Sequence, residues 1–430
     1  MKKQKKLFIF SGIVICLITI TLVIINFVNS DNVIYESDNA NAGDNRVISS
    51  NALTMMYETE AGSGEYQVTS DTTWPQEGYT FNETLSKCEN ESDIYWDSNT
   101  NRVIVEANSA DKCYVYFDVE VITLADYIIN EVYTGTDGED GLYYHDADLA
   151  NGAQDNSYRY SGANPNNYVC FGHGAEAEGT CANDNLYRII GLFDDDKDGN
   201  YQIKLIKADY TTSDMLGTNG RDYAGAYSYS TSNYKGSMET STIAGYTWNY
   251  DTSVSSKGSN NWTTSEFNTI NLNTNYWNYL GSTWQNLIAE TTWHLGGMTS
   301  YNNTAKEFYD GERNNAGYGS NPTTYSDEIG LMYPSDYGYA ASPNAWANDL
   351  YDYNNSTITA NNWLYMGLVE WTIIPSSSSS GSVFRVYDSG RLSSYSAYRG
   401  CAARPVFYLE SNVSLQGGSG TSSDPYRLAV

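Results

Sequence analysis

The sequence predicts a loop-rich α+β protein, with a small disulfide-stapled β module ahead of a larger domain and an apolar segment in front of both. Three observations lead there. Short runs that alternate apolar and polar residues are separated by Asn, Asp, Ser and Gly, the pattern of half-buried strands between turns. Helical spacing is confined to residues 123–133 and 283–292. Four of the six cysteines fall into two local pairs, Cys88 with Cys113 and Cys170 with Cys181.

Lys2, Lys3, Lys5 and Lys6 precede a mostly apolar run over residues 7–28, close to the roughly 20 residues a helix needs to cross a bilayer. Lysines before the run and acids after it put the N-terminus in the cytoplasm and the rest of the chain outside. Residues 1–29 are therefore a single-pass anchor at the cell membrane or a cleaved signal. The run is longer than a secretory core, and the nearest A-x-A pattern, at residues 40–42, lies well downstream. Either way, the functional part is extracellular.

Residues 30–51 are polar and aperiodic and read as a spacer. Residues 52–120 hold strand-like runs at 66–69, 93–96, 102–105 and 113–117 and make up the small β module. The large domain, residues 121–430, opens with a helix. Leu124, Ile128, Ile129 and Val132 share one face of it, and Thr123 is its N-cap. Runs at 186–193 and 201–207 form a hairpin around an acidic turn. Residues 210–360 read mostly as loops, with Trp, Tyr, Asn and Ser at irregular spacing. Loops of that length are uncommon in a compact domain unless they are functional.

The chain carries a formal charge of -29. With four of its 23 basic residues at the cytoplasmic end, 19 face 52 acids outside. That field repels nucleic acid, so no nucleic-acid partner is expected, and the membrane is met only through the N-terminal helix. Tyr is the strongest compositional deviation, at 40 residues. Tyr with Ser, Gly and Asn suits a recognition surface, and it equally suits a β-rich extracellular domain with Tyr-lined loops. In an exported chain the two cysteine pairs read as disulfides.

No catalytic residue emerges. His145, His173 and His294 share no ligand spacing, and no nucleophile-elbow, zinc-protease or phosphate-loop motif is present. Asp194, Asp196, Asp198 and Gly199 match the first half of a calcium loop, but Leu205 stands where the bidentate Glu belongs. An acidic hairpin turn is the alternative. No cofactor or metal is expected beyond that one calcium possibility. Asn344, Trp346, Asn348 and Asp349 bear a faint likeness to lectin calcium triplets.

The C-terminal segment runs from Trp363 and Tyr365 through Trp371-Thr372 and a serine run at 376–380. A strand at 383–387 follows, then the tip Asp388-Ser389-Gly390 and a Ser/Tyr/Arg-rich stretch, and the segment closes on Arg404-Pro405-Val406. This order resembles the C-terminal half of the C-type-lectin-like fold, in the form shared by sulfatase-modifying (formylglycine-generating) proteins and exported proteins of Gram-positive relatives. The resemblance implies a recognition scaffold whose loop and hairpin meet the ligand. Ligand-binding residues are then expected at Arg385, Tyr387, Arg391, Tyr395, Tyr398 and Arg399, on a C-terminal surface that also carries Trp363, Tyr365 and Trp371. The alternative is that Trp363, Trp371 and Arg404 are core and the others are ordinary strand faces. A formylglycine-generating enzyme needs a reactive cysteine pair, and only Cys401 is present in this region. The expectation is therefore a membrane-tethered binding or adhesion protein with a surface glycan or protein as partner. A glycan-acting envelope enzyme and a structural surface protein are the alternatives.

Overall fold

The computed structural model describes the backbone of residues 33–35 and the chain from residue 53 to 430, apart from residues 60–61, 72–73, 77, 91, 101, 107–110, 176–180 and 196. The apolar run at 7–28 and most of the spacer lie outside the described residues. No described helix is long and apolar enough to cross a membrane. The chain divides into two compact units, Met1–Val121 and Ile122–Val430.

The first unit contains eight described strands: β1 (Val33–Tyr35), β2 (Leu53–Glu58), β3 (Tyr66–Thr69), β4 (Tyr79–Phe81), β5 (Lys87–Cys88), β6 (Asp93–Asp97), β7 (Arg102–Glu106) and β8 (Cys113–Val119). One sheet has the order β3-β2-β8-β4, with β5 also on β8, and a second has the order β1-β7-β6. Strand β8 shows why the alternation matters. Cys113, Val115 and Phe117 point inward with Leu53, Met55 and Trp74, while the residues between them are half-buried. Cys88 lies opposite Cys113 in the ladder, and the two form a disulfide.

The second unit carries strands β9 (Leu142–Tyr144), β10 (Tyr158–Tyr160), β11 (Tyr168–Cys170), β12 (Leu186–Phe193), β13 (Gln202–Lys207), β14 (Tyr223–Ala226), β15 (Ala244–Tyr246), β16 (Ile288–Ala289), β17 (Thr291–His294), β18 (Thr324–Asp327), β19 (Glu370–Pro375), β20 (Ser382–Val386), β21 (Leu392–Ser396), β22 (Val406–Leu409), β23 (Leu415–Gly417) and β24 (Arg427–Leu428). The central sheet has the order β16-β22-β13-β12-β10-β9, with β11 on β12. The hairpin expected from β12 and β13 forms, and the closing Arg-Pro-Val strand, β22, pairs with β13. β12 and β13 are buried along nearly their whole length, as strands covered on both faces are. Cys170 at the end of β11 is bonded to Cys181. Three more small sheets are two-stranded, β14-β15, β17-β18 and β23-β24, and one is three-stranded, β19-β20-β21.

The α+β expectation is corrected. The described chain is mostly β strands in several small sheets, and its α-helices span four to eight residues, the longest being Ala305–Glu312. The helix at Leu124–Tyr127 forms with Thr123 as its cap and continues as a π-helical turn. The one expected over 283–292 stops at Gln285 and gives way to β16 and β17. Thr291, Thr292 and Trp293 favour extended backbone, which overrides the spacing. The stretch at 210–360 is corrected as well. Trp248, Trp262, Trp284, Trp293 and Trp346 are fully buried, so its aromatics fill the core and are not loop decoration.

That core also encloses charge. Asp336 takes Lys204 Nζ at 2.6 Å and Arg159 Nη1 at 3.7 Å, while Arg159 Nη2 bonds Asp155 at 2.6 Å. Arg404 grips both oxygens of Glu370 at 2.8 and 2.9 Å. Each of these charged groups is compensated by an opposite charge, which offsets the cost of burying it. Removing one partner from such a pair typically costs about 3–5 kcal/mol.

Candidate functional site: the arginine–tyrosine hairpin

Strands β19, β20 and β21 form an antiparallel ladder in which Trp371 faces Arg385, Arg385 faces Ser393, and Val383 faces Tyr395. Alternation sends Phe384, Val386 and Leu392 to one side, where Phe384 meets Phe308 edge-on at 5.4 Å. Val383 and Trp371, both fully buried, lie on the side of Arg385, so that β20 is covered on both faces. Arg385 and Tyr387 of one arm then share the opposite face with Arg391, Ser393 and Tyr395 of the other. Gly390 closes the tip with φ +95°. A Cβ there would sit 2.4 Å from Thr359 and 2.8 Å from the Tyr353 carbonyl, so only glycine fits. The Tyr387 N–H donates to the Arg391 carbonyl at 2.8 Å and locks the turn.

Two guanidinium groups converge on this face. The Arg385 guanidinium carbon lies 3.5 Å from the Tyr395 ring centre, 5.1 Å from Tyr387 and 5.9 Å from Tyr229. Its Nη1 approaches the Cys401 sulfur at 4.0 Å. Arg391 sits 5.1 Å from the same Tyr387 ring and 5.3 Å from Tyr351, whose hydroxyl it reaches at 3.2 Å. Tyr351 in turn stacks on Tyr301. Among the described residues, Arg385 and Arg391 have no carboxylate at ion-pair distance, and Arg385 Nε, Arg391 Nε and Ser393 Oγ are buried donors without a partner. Ring faces supply roughly 0.5–2 kcal/mol each to a nearby cation, but they do not satisfy a donor.

The structure thus gathers four of the six sequence-derived residues, Arg385, Tyr387, Arg391 and Tyr395, onto one face. Arg385 is more enclosed than an open contact residue, at 6 % exposed. Tyr398 and Arg399 fall beyond β21, in a turn closed by the Arg399 N–H on the Ser396 carbonyl at 3.0 Å. The Arg399 guanidinium lies over Tyr398 at 4.9 Å, and no ring or ion contact joins this pair to Arg385 or Arg391. Tyr229, Tyr301 and Tyr351 were missed. They come from distant segments without periodicity, and nothing local marks them among 40 tyrosines.

The other candidates resolve as structure. Trp363, Trp371 and Arg404 are buried. Cys401 is a buried free thiol, pushed up to about 12 by desolvation. The Asp194 carboxylate accepts the N–H groups of Asp198 and Gly199, which closes the acidic turn, and Asp196 lies outside the described residues. Trp346 is core, with its indole donating to Ala341. His145 is buried, accepts the Ala153 N–H on Nδ1, and is held neutral by burial and by Arg159. Cys88, Asp111 and Cys113 lie close enough together for a metal. The cysteines are in a disulfide, however, and Asp111 accepts bonds from Asn90, Ser92 and Lys112.

No protein-family model, curated protein or solved structure matches this chain.

Proposed function

We propose that this chain is an extracellular binding or adhesion protein, displayed at the cell surface, that recognises a glycan or protein ligand through the hairpin face of β20 and β21. One observation carries the reading. Arg385 and Arg391, in a chain with a formal charge of -29, are walled by tyrosines and lack carboxylate partners among the described residues. Arg and Tyr are the residue types that dominate binding hot spots, where water exclusion makes their contacts count. Two disulfides agree with an oxidising compartment. Kinship with lectin-like domains belongs to the same proposal and rests on the Gly390-tipped hairpin followed by the Arg404-Pro405-Val406 strand. The test is to screen the full-length protein on arrays of surface glycans and surface proteins, with a wall-hydrolysis assay run in parallel. Retention of a ligand without turnover supports the reading, and turnover of a glycan overturns it in favour of an enzyme.

A further inference from the structure

A groove of about 360 Å³ in the second unit, separate from the residues of the hairpin face, is lined by Arg188, Asp209, Lys235, Trp363 and Tyr365. It falls within the usual size range of small-ligand sites, roughly 300–1,000 Å³. Arg188 leaves β12 opposite Tyr168, and its guanidinium carbon lies 4.3 Å from the Tyr168 ring centre and 4.5 Å from that of Trp363. The residue is 5 % exposed. Its Nε bonds the Asn167 side chain at 2.8 Å, and its Nη2 reaches the Pro165 carbonyl at 3.1 Å and the Asn164 side chain at 3.3 Å. All three acceptors are neutral. Nη1 has no hydrogen bond among the described residues. Burial, reinforced by the nearby Arg404, lowers the Arg188 pKa to about 10, as befits a cation short of negative charge.

Lys235 supplies a second cation. It is exposed, lies 4.4 Å over the Tyr365 ring, and donates only to the Thr359 carbonyl, at 2.8 Å. Asp209, the acid lining the groove, is already occupied by the Tyr234 hydroxyl and the N–H groups of Tyr210, Ser237 and Met238. The groove is thus locally cationic in a strongly acidic molecule.

We propose that this groove binds a sugar bearing a single carboxylate, with Arg188 and Lys235 holding the carboxylate. With Nε and both Nη2 hydrogens engaged, Nη1 is left to donate a charge-assisted bond to a carboxylate oxygen. The neutral rim of Asn183, Ser237 and Ser422 suits hydroxyl groups. The acidic field of the whole chain works against a polyanion. The Tyr365 hydroxyl donates to the Asp388 carbonyl at the hairpin tip at 2.6 Å, but the groove lining includes neither Arg391 nor Tyr395.

The experiment is calorimetric titration of the full-length protein with sodium glucuronate, glucose, sodium sulfate and an oligosaccharide ending in glucuronate. Glucuronate should bind and glucose should not, and Lys235→Ala should weaken glucuronate binding about tenfold or more, as loss of a charge-assisted bond does. Lys235 is exposed, so this variant keeps its fold. A combined Arg391→Ala and Tyr395→Ala variant should bind glucuronate as the parent does. Tighter binding of the oligosaccharide would make the source a chain end, and equal binding would make it the free acid. The proposal is overturned by absent glucuronate binding, by glucose or sulfate binding equally well, or by indifference to Lys235→Ala.

Discussion

Glu312, at the end of the helix Ala305–Glu312, shows how one buried side chain couples the fold to pH. It is fully buried and accepts the Ser335 N–H and hydroxyl, with Arg313 Nη1 at 3.4 Å. Desolvation outweighs these partners and raises its pKa from 4.5 to about 7. Between those values the unfolded chain has lost the proton and the folded chain keeps it. Stability therefore falls as pH rises from about 4.5 to about 7 and levels off above, by an amount on the order of 3 kcal/mol. Asp327 is raised in the same direction by burial and by Glu328, so the informative quantity is a difference. Urea melts across this range should show a shallower slope for Glu312→Gln than for the parent, and equal slopes would refute the assignment. Cys401 gives a second check. Buried and raised to about 12, its thiol should resist iodoacetamide at pH 8 in the native protein and react once the protein is unfolded, as peptide mass spectrometry would read. Some residue roles were legible beforehand. Arg404 sits inside, as the closing Arg-Pro-Val strand implied, and Trp363 and Trp371, which the sequence left open between a binding surface and the core, are core. The depth of Arg385 was not legible, since the covering Tyr229 arrives from a remote loop.

At the scale of elements, local signals worked where the structure is local. The hairpins of β12 with β13 and of β6 with β7 were readable from alternation and turn residues, since their pairing partners follow closely in sequence. The parallel pairing of β2 with β8, some 60 residues apart, and the strands β1, β2, β4 and β5 were not. Nor were the short β14 to β18 strands. Their aromatics pack through contacts distant in sequence, and aperiodic Trp and Tyr look the same in a loop as in a core built from irregular segments. The Cys170–Cys181 bridge ties the end of β11 to the turn before β12. Its loop is short, so the chain-entropy account gives it about 3 kcal/mol. Replacing both cysteines with Ala should lower the denaturation midpoint accordingly while leaving the Cys88–Cys113 linked peptide intact. An unchanged midpoint would show that the bridge contributes nothing.

For the whole molecule, the proposal of recognition outside the cell rests on acidity, two disulfides and an arginine–tyrosine face without carboxylate partners among the described residues. Protease added to intact cells should therefore remove the disulfide-bearing units, and full protection would contradict surface display. The central claim is that the β20–β21 hairpin makes the contact, and attachment measured together with thermal melting tests it most directly. Arg391 and Tyr395 are half-buried and Trp371 is fully buried. Losing a hot spot typically costs more than about 2 kcal/mol of binding, and truncating two half-buried side chains costs less stability than the about 3–5 kcal/mol of truncating a core indole. The Arg391→Ala, Tyr395→Ala double variant should melt within a few degrees of the parent and lose attachment to the target surface, and Trp371→Ala should melt far lower. Full attachment by a folded double variant would contradict the account and move recognition away from the hairpin.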